Sequence, residues 1–569
     1  MRENLTVGMV GAGGDGVVVL GVFLQKLAAG QGYFGQMSRF YGAQIRGGGS
    51  AVKLGMNAVA LSLPQDSVDI LVCFDGEKYL EFGHELLIAD DTLVLYDGEP
   101  PPGIDLPEAS IRFDFTGKSR EAVGAAQSKN IVALGLLRAI LGLDRDRVRE
   151  AIERDEELGL VKGGLPAYDA GERLFSGTRF PDLGLSPARD GSAKVILHGN
   201  SAMARAAIRA GCRAFFGYPI TPASEIMQEM QEELSHGKAV FLQAEDEISS
   251  VALALGASLT GAKTMTATSG PGLDLMTESL VLASAAEIPM VIIDVQRGGP
   301  STGIPSKLEQ SDLNHAIYGG HGDAPRVVVA PYDVEGCYRL VIEGFNIAQY
   351  YQVPVILLSD QWLGQTFVAI KNDFLKQEYP LLERKKPAAE DGGDYKRYLF
   401  TEDSISPMAD VGDEGFVHQI TGLAHNEKGA PAFDFDTHQR MHEKRWRKLL
   451  PLCERDDLVR VFGNESAGRG IITWGSSAQI VLETLKDLGL LGKVKVCVPE
   501  LIHPLPKGVE GFVKSIEQLL VVEMNYSGQF YRYLRSQLDL PKDTGVYARA
   551  GGRPFSRGEL AAVLKEAAG

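Results

Sequence analysis

The chain has 569 residues, a length that suits three or four domains. Its 57 basic and 74 acidic residues give a net charge of −17 and a pI near 5.2, which argues against a general nucleic-acid or membrane-surface binder. A hydrophobic fraction of 44% with 23% charged residues matches well-cored soluble domains and excludes a disordered or fibrous chain.

Short apolar runs, Gly-rich turns and amphipathic stretches alternate along the chain, the pattern of α/β domains. Leu5–Val10 reads as a first strand and Gly16–Ala29 as the helix after it, with Ile70–Phe74 and Thr92–Tyr96 as later strands and Asn130–Leu143 as a helix. Residues 160–193 show little periodicity and read as a linker ending near Asp190 and Gly191. Val195–Leu197 then opens a second unit. In it strands at Arg213–Phe216, Ala239–Gln243, Lys263–Thr268 and Met290–Val295 alternate with helices at Ser224–Ser235, Ser249–Thr260 and Asp274–Ala286. Val327–Val329 and Val353–Leu358 extend that sheet. Residues 376–455 are charged and read as a long connection wrapping the surface. A third α/β unit follows, with strands at Gly470–Thr473, Val494–Val498 and Gln518–Glu523 and a helix at Ala478–Leu488.

The five cysteines are odd in number and far apart, so a reducing cytosol fits better than a disulfide framework. No CxxC offers a sequence-local iron–sulfur or zinc site. The start, MRENLTVGMV, lacks the basic region and apolar core of a signal peptide. The apolar runs fall well short of the roughly 20 residues that a membrane span needs.

Gly11, Gly13 and Gly16 fit GxGxxG between a strand and a helix, where bare backbone can approach a phosphate. A tight strand-to-helix turn explains the same glycines. A dinucleotide site also wants an acid about 20 residues on to hold a ribose, and none is present: residues 16–65 contain no Asp or Glu. The same stretch holds Lys26, Arg39, Arg46 and Lys53, and a second glycine run, Gly47–Gly49, follows Arg46. This favours a cradle for a polyphosphate other than NAD over a buried sheet segment that is poor in acids.

In the central unit, Thr221 in YPITP is placed to cap a helix, with Pro222 as its first residue. Ala244–Glu247 packs three acids after a strand, ahead of a small, apolar helix that reads as buried, so Glu247 is read as pointing into an interface rather than as a solvated helix start. Thr266–Gly272 gives a hydroxyl-lined loop. Arg297 ends an apolar strand on the same sheet edge.

These residues resemble a family, the 2-oxoacid:ferredoxin oxidoreductases. YPITP at 218–222, AEDE ending in Glu247, TATSGPG at 266–272 and QRGGPSTG at 296–303 resemble its pyrimidine-binding domain. GAGGDG at 11–16 and YGAQIRGGG at 41–49 resemble its gamma domain; TWGSSA at 473–478 and HPLP at 503–506 resemble its transketolase-C-like domain. The resemblance spans about 1–375 and 455–569 and implies an α/β chain of three domains. These are a Rossmann-like gamma domain at 1–190, a thiamine-diphosphate pyrimidine-binding domain at 191–375 and, after a connecting segment at 376–455, a transketolase-C-like domain at 456–569. Fusion in this order resembles the alpha subunit of the two-subunit type.

The resemblance further implies that Glu247 activates the aminopyrimidine of thiamine diphosphate by sharing a proton with its ring nitrogen. It implies Thr221 and Arg297 as ligands of the 2-oxoacid carboxylate, and Tyr218, Pro219, Ser269 and Gly270 as loops around the cofactor. Coenzyme A falls to Gly11, Gly13, Gly14, Gly16 and Arg46. No Asn pair follows the GDG at 14–16, so Mg²⁺, the diphosphate site and a [4Fe-4S] cluster are expected on a beta subunit, with no metal on this chain. Ferredoxin as electron acceptor, an (αβ)₂ assembly and a cytoplasmic location complete the expectation. 2-Oxoglutarate leads as substrate, ahead of pyruvate and branched-chain 2-oxoacids, in a reaction that can run reversibly toward CO₂ fixation. A nicotinamide-dependent dehydrogenase and a non-catalytic scaffold subunit are the alternatives from other classes.

Overall fold

The computed structural model describes residues 1–42, 48–154, 164–235, 237 and 239–569, side chains at 390–392 excepted. The first strands are β1 (Asn4–Ala12), β2 (Phe34–Tyr41), β3 (Gly49–Asn57), β4 (Ser67–Cys73), β5 (Leu87–Tyr96), β6 (Ile111–Arg112) and β7 (Val195–Leu197). Next come β8 (Cys212–Gly217), β9 (Val240–Gln243), β10 (Lys263–Thr268), β11 (Met290–Gln296), β12 (Val327–Val329), β13 (Pro354–Asp360) and β14 (Phe367–Ile370). The last are β15 (Val459–Gly463), β16 (Arg469–Thr473), β17 (Lys495–Pro499), β18 (Leu501–His503), β19 (Gln518–Glu523) and β20 (Asp543–Ala548).

The chain divides into two compact units, Met1–Leu197 with Thr366–Asp373, and His198–Gln365 with Phe374–Gly569. The first is built on a mixed sheet in the order β6-β5-β4-β1-β3-β2-β14-β7. The β1–β4–β5–β6 half is parallel and the other half antiparallel. Strands β2 and β3 were not read from the sequence. They lie inside the acid-free stretch, and most of their residues are buried. Burial therefore accounts for much of the missing acid that was ascribed to a polyphosphate. Val195–Leu197 does not open the second unit but edges this sheet against β14. Nor is 160–193 simply a linker: Gly164–Ser176 is a helix whose buried face includes Ala167 and Tyr168.

The second unit carries two sheets. The larger, β18-β12-β13-β11-β10-β8-β9, is parallel except at β18. The smaller, β15-β17-β16-β19-β20, is parallel except at β15. One apolar core runs through both, from Val251 and Met276 to Trp474 and Phe530. Strand β18 follows β17 directly yet pairs with β12, so the HPLP turn at its end fastens the smaller sheet's segment onto the larger sheet. TWGSSA works in the same direction. Ser476 Oγ donates to Asp360 at 2.6 Å, and Ser477 Oγ donates to Gln310 at 2.8 Å.

Residues 376–455 do more than wrap the surface. Arg397 and Tyr398 are fully buried, and Phe435–Arg447 is a helix. Arg397 donates to the Glu287 carbonyl at 2.7 Å and to Gln352 Oε1 at 2.9 Å. Lys444 and Lys448 both donate to the buried Glu287 carboxylate, at 2.5 and 2.8 Å. Removing one member of such a cluster leaves uncompensated buried charge, which costs about 3–5 kcal/mol. The cations around Glu287 hold its carboxyl well below the usual range against the opposing effect of burial.

Candidate functional site

The C-terminal edge of a parallel sheet is where such folds bind ligands, because helix starts and strand-end loops converge there. Strands β8, β9, β10 and β11 deliver Tyr218–Thr221, Glu247, Ser269–Gly270 and Arg297 to that edge.

Glu247 is the first residue of the helix Glu247–Leu259, which Asp246 caps by accepting from the Ser249 amide at 2.8 Å. The capping box fixes the helix start, and so fixes where the Glu247 side chain begins. Its side chain packs on Gly272, where a Cβ would come 2.6 Å from Oε1. Glu247 is only 5% exposed, and burial pushes its carboxyl above the ordinary range, helped by the Asp246 charge and partly opposed by its own amide. A carboxyl tuned upward in this way keeps a proton more readily than an exposed one and can pass it on. The helix is not buried all round, as the sequence suggested. Ile248 is 52% and Leu253 40% exposed, so an apolar face beside Glu247 stands bare in this chain.

Ser269 caps the next helix, Gly270–Ala285, by position only: its hydroxyl is fully buried and meets no partner, as does that of Thr266. Two unpaired hydroxyls, one within β10 and one just after it, leave polar capacity at this strand.

Arg297 and Thr221 do meet. Arg297 Nη1 donates to the Thr221 main-chain oxygen at 2.6 Å. Thr221 itself is exposed and is not a helix cap. The Thr221–Pro222 bond is cis, and the helix starts at Ser224 behind Ala223. Tyr218 and Pro219 are exposed on the same loop. Arg297 is 7% exposed, and burial lowers its pKa. It lines an open cavity of about 360 Å³ with Gly270, Pro271 and Asp312, and Asn525, Tyr526 and Ser527 line it from the smaller sheet's side. Those last three residues were not read from the sequence, and no motif marks them. Asp294, a single acid in the apolar strand β11, was a readable signal that went unused.

In the first unit, Gly11 lies in β1, and Gly13, Gly14 and Gly16 form the turn before the helix Val17–Gly30. Gly16 has φ 73°, and a Cβ there would meet Asn130 Nδ2 at 2.4 Å, so this position requires glycine. The Gly13 amide donates to the Gly48 carbonyl at 2.9 Å, which brings the two glycine runs together. Asp15, the one acid in the turn, is paired with Lys129 at 2.8 Å. Three of the four cations expected to serve this loop are placed elsewhere. Lys26 lies over the Phe23 ring, Arg39 lies over the Phe367 ring, and Lys53 donates to the Asp66 carbonyl. The fourth, Arg46, lies outside the described residues. Among the described residues, no cluster of His, Cys, Asp and Glu could hold a metal ion, and no helix is long and apolar enough to cross a membrane.

A family model described as pyruvate flavodoxin/ferredoxin oxidoreductase, thiamine-diphosphate-binding, matches residues 205–444; another, pyruvate ferredoxin/flavodoxin oxidoreductase, matches 6–171. A 2-oxoacid:ferredoxin oxidoreductase alpha subunit from Sulfolobus sp is 30% identical over 99% of this chain and 96% of its own. The 2-oxoglutarate synthase subunit KorA of Methanocaldococcus jannaschii is 36% identical over 64% of this chain and 97% of its own. A solved structure of the 2-oxoglutarate:ferredoxin oxidoreductase of Magnetococcus marinus, with 2-oxoglutarate, coenzyme A and succinyl-CoA bound, matches at 34% identity. It covers 100% of both chains with a TM-score of 0.92. With both oxidoreductase models matching along one chain that its alpha-subunit relative and the solved structure cover from end to end, the chain belongs to the 2-oxoacid:ferredoxin oxidoreductase family, as an alpha subunit with the gamma domain fused at its N-terminus.

Proposed function

We propose that this chain is the pyrimidine-binding half of a coenzyme A-dependent 2-oxoglutarate:ferredoxin oxidoreductase that forms succinyl-CoA and CO₂. The observation that carries the reading is Glu247: a buried carboxyl with a raised pKa, at the start of a helix whose neighbouring face is apolar and bare. A bare apolar face next to a catalytic acid suits a site completed by another subunit.

The donor set fits thiamine diphosphate. Glu247 would hold a proton at the aminopyrimidine nitrogen, and the unpaired hydroxyls of Ser269 and Thr266 would supply the remaining polar contacts. When bound, this cofactor supplies the carbanion chemistry that a protein side chain cannot. Arg297, braced by the Thr221 carbonyl, keeps further guanidinium donors for the substrate carboxylate, a planar pairing that suits Arg better than Lys. Tyr218, Pro219 and Gly270 shape the surrounding loops. The turn at Gly11, Gly13, Gly14 and Gly16, with Arg46, would receive the coenzyme A phosphates. Its own acid is already neutralised by Lys129.

A beta subunit would bring the diphosphate site, Mg²⁺ and the [4Fe-4S] cluster, and ferredoxin would take the electrons, in an (αβ)₂ assembly in the cytoplasm. With a low-potential acceptor, the reaction can also run toward CO₂ fixation. 2-Oxoglutarate is preferred because the KorA relatives and the Magnetococcus marinus enzyme carry that name. The test is to co-purify the partner and follow viologen reduction with 2-oxoglutarate, pyruvate and 2-oxoisovalerate. 2-Oxoglutarate should be preferred by at least about tenfold in kcat/KM. Preference for either other acid overturns the substrate, and nicotinamide reduction in place of viologen reduction overturns the reaction.

A further inference from the structure

Beside Arg297 lie two acids that the reaction as described does not use. Asp294, within β11, is fully buried, and neither of its carboxyl oxygens meets a protein donor. Asp312, just before the helix Leu313–Tyr318, leaves Oδ2 without a partner as well. The two carboxyls lie within hydrogen-bond reach of each other. Gly270 confines Asp312 from one side, since a Cβ there would stand 2.9 Å from Oδ2. Among the described residues, Arg297 hydrogen-bonds only to the Thr221 carbonyl, while both acids act on it through charge, Asp312 more than Asp294.

Two ionised carboxylates facing each other without a donor are poorly placed in a dry site. One proton between them cures both faults: it supplies the missing donor and removes one charge. The strands that flank Asp294 offer only Thr268 and Leu358 at its register. The other charged groups facing the pair are Asp274 from the helix Gly270–Ala285, Glu309 from the preceding loop, and Arg297. His315 stands 3.4 Å from Asp274. The balance of acids over cations therefore favours keeping the proton.

We propose that Asp294 and Asp312 share a single proton, and that this shared proton keeps the pair from outweighing Arg297, so that the substrate carboxylate meets no net negative charge from the three side chains. With one proton on the pair, the three side chains sum to zero charge. With none they sum to minus one, and an incoming carboxylate meets net repulsion. Asp294 and Asp312 are thus positioning residues that act through Arg297. Burial and the facing acid push Asp294 well above the carboxylate range, and burial above all pushes Asp312 up to about 6, in keeping with a pair that keeps a proton after ordinary carboxylates have lost theirs. The inference rests on the assignment of Arg297 to the substrate.

The experiment uses the complex with its beta subunit. KM and kcat for 2-oxoglutarate are measured from about pH 6.5 to about pH 9.5 in the wild type, Asp294→Asn, Asp312→Asn and Arg297→Lys. Infrared difference spectra of the same complexes report protonated carboxyl groups. The wild type should show a protonated carboxyl band that persists above neutral pH, and a KM that rises about fivefold toward the alkaline end while kcat does not follow it. Asp294→Asn, whose amide replaces the shared proton permanently, should lose the band and show a KM independent of pH. A wild type without the band, or an alkaline rise in KM that survives in both Asn variants, overturns the proposal. If the band is present but Arg297→Lys leaves KM unchanged, the substrate assignment fails instead, and the link to it falls while the shared proton stands.

Discussion

Gly272 and Glu247 are in contact across two helix starts, with room for a hydrogen and not for a methyl group. A Cβ on Gly272 would stand 2.6 Å from Glu247 Oε1 and 2.0 Å from Thr268 Oγ1. Gly272→Ala must therefore displace the carboxyl. Turnover of the assembled enzyme should fall by at least about tenfold, because misplacement on the ångström scale is costly at a reacting centre. Circular dichroism and the KM for coenzyme A should stay near wild type. Full turnover would show that the carboxyl need not sit where it does.

Glu247→Gln keeps the size and a hydrogen bond but not the proton. Turnover should drop by about a hundredfold or more, the scale of a lost general acid–base group. Binding of the thiamine cofactor to the complex, followed by calorimetry, should change far less. A variant with wild-type turnover would favour the scaffold reading of this chain.

Lys448 is buried between the Glu287 carboxylate and the Gln352 carbonyl, each at 2.8 Å. Burial pulls its pKa from the usual 10.5 down to about 7. Between those two values the unfolded chain binds a proton that the folded chain does not. Stability should thus rise with pH in that window, by up to about 1.4 kcal/mol per pH unit, and this contribution should be flat below about pH 7. Unfolding curves at a series of pH values should show the slope in wild type and lose it in Lys448→Met. An identical slope in the variant would assign it to another group. Glu287→Ala, which strands Lys444 and Lys448, should cost about 3–5 kcal/mol.

Arg46→Ala tests the coenzyme A assignment. The KM for coenzyme A should rise about tenfold, the value of one lost charged contact to a phosphate. Release of CO₂ from the oxoacid in a single turnover should be nearly unchanged. Equal loss of both would remove Arg46 from the coenzyme A site.

The parallel strands of the second unit were legible because each is a short apolar run followed by a turn and a helix, the strongest local signal in α/β chains. Met290–Val295 and Lys263–Thr268 illustrate this. Strands β2 and β3 escaped because FGQMSRFY and GSAVKLGMN carry polar and glycine residues, and they become a buried sheet only through antiparallel pairing with each other and with β1. The helix Phe435–Arg447 escaped because its buried side is mostly charged. Lys444 and Arg445 point inward with Met441 alone, and no apolar stripe announces them. At the site, Glu247 and Arg297 could be read from motifs. The Asp294–Asp312 pairing could not, since it joins a strand to a loop 18 residues on, and only the fold sets that distance.

Strand β18 has an implication for synthesis. The larger sheet of the second unit begins at Cys212, yet its last edge is supplied by Leu501–His503, nearly 300 residues later. As the ribosome proceeds, β12 must wait with one side unpaired until almost the whole polypeptide has emerged. A chain truncated before that point would expose a sticky margin, so premature termination products should be recovered with chaperones or in inclusion bodies rather than as a working amputated enzyme.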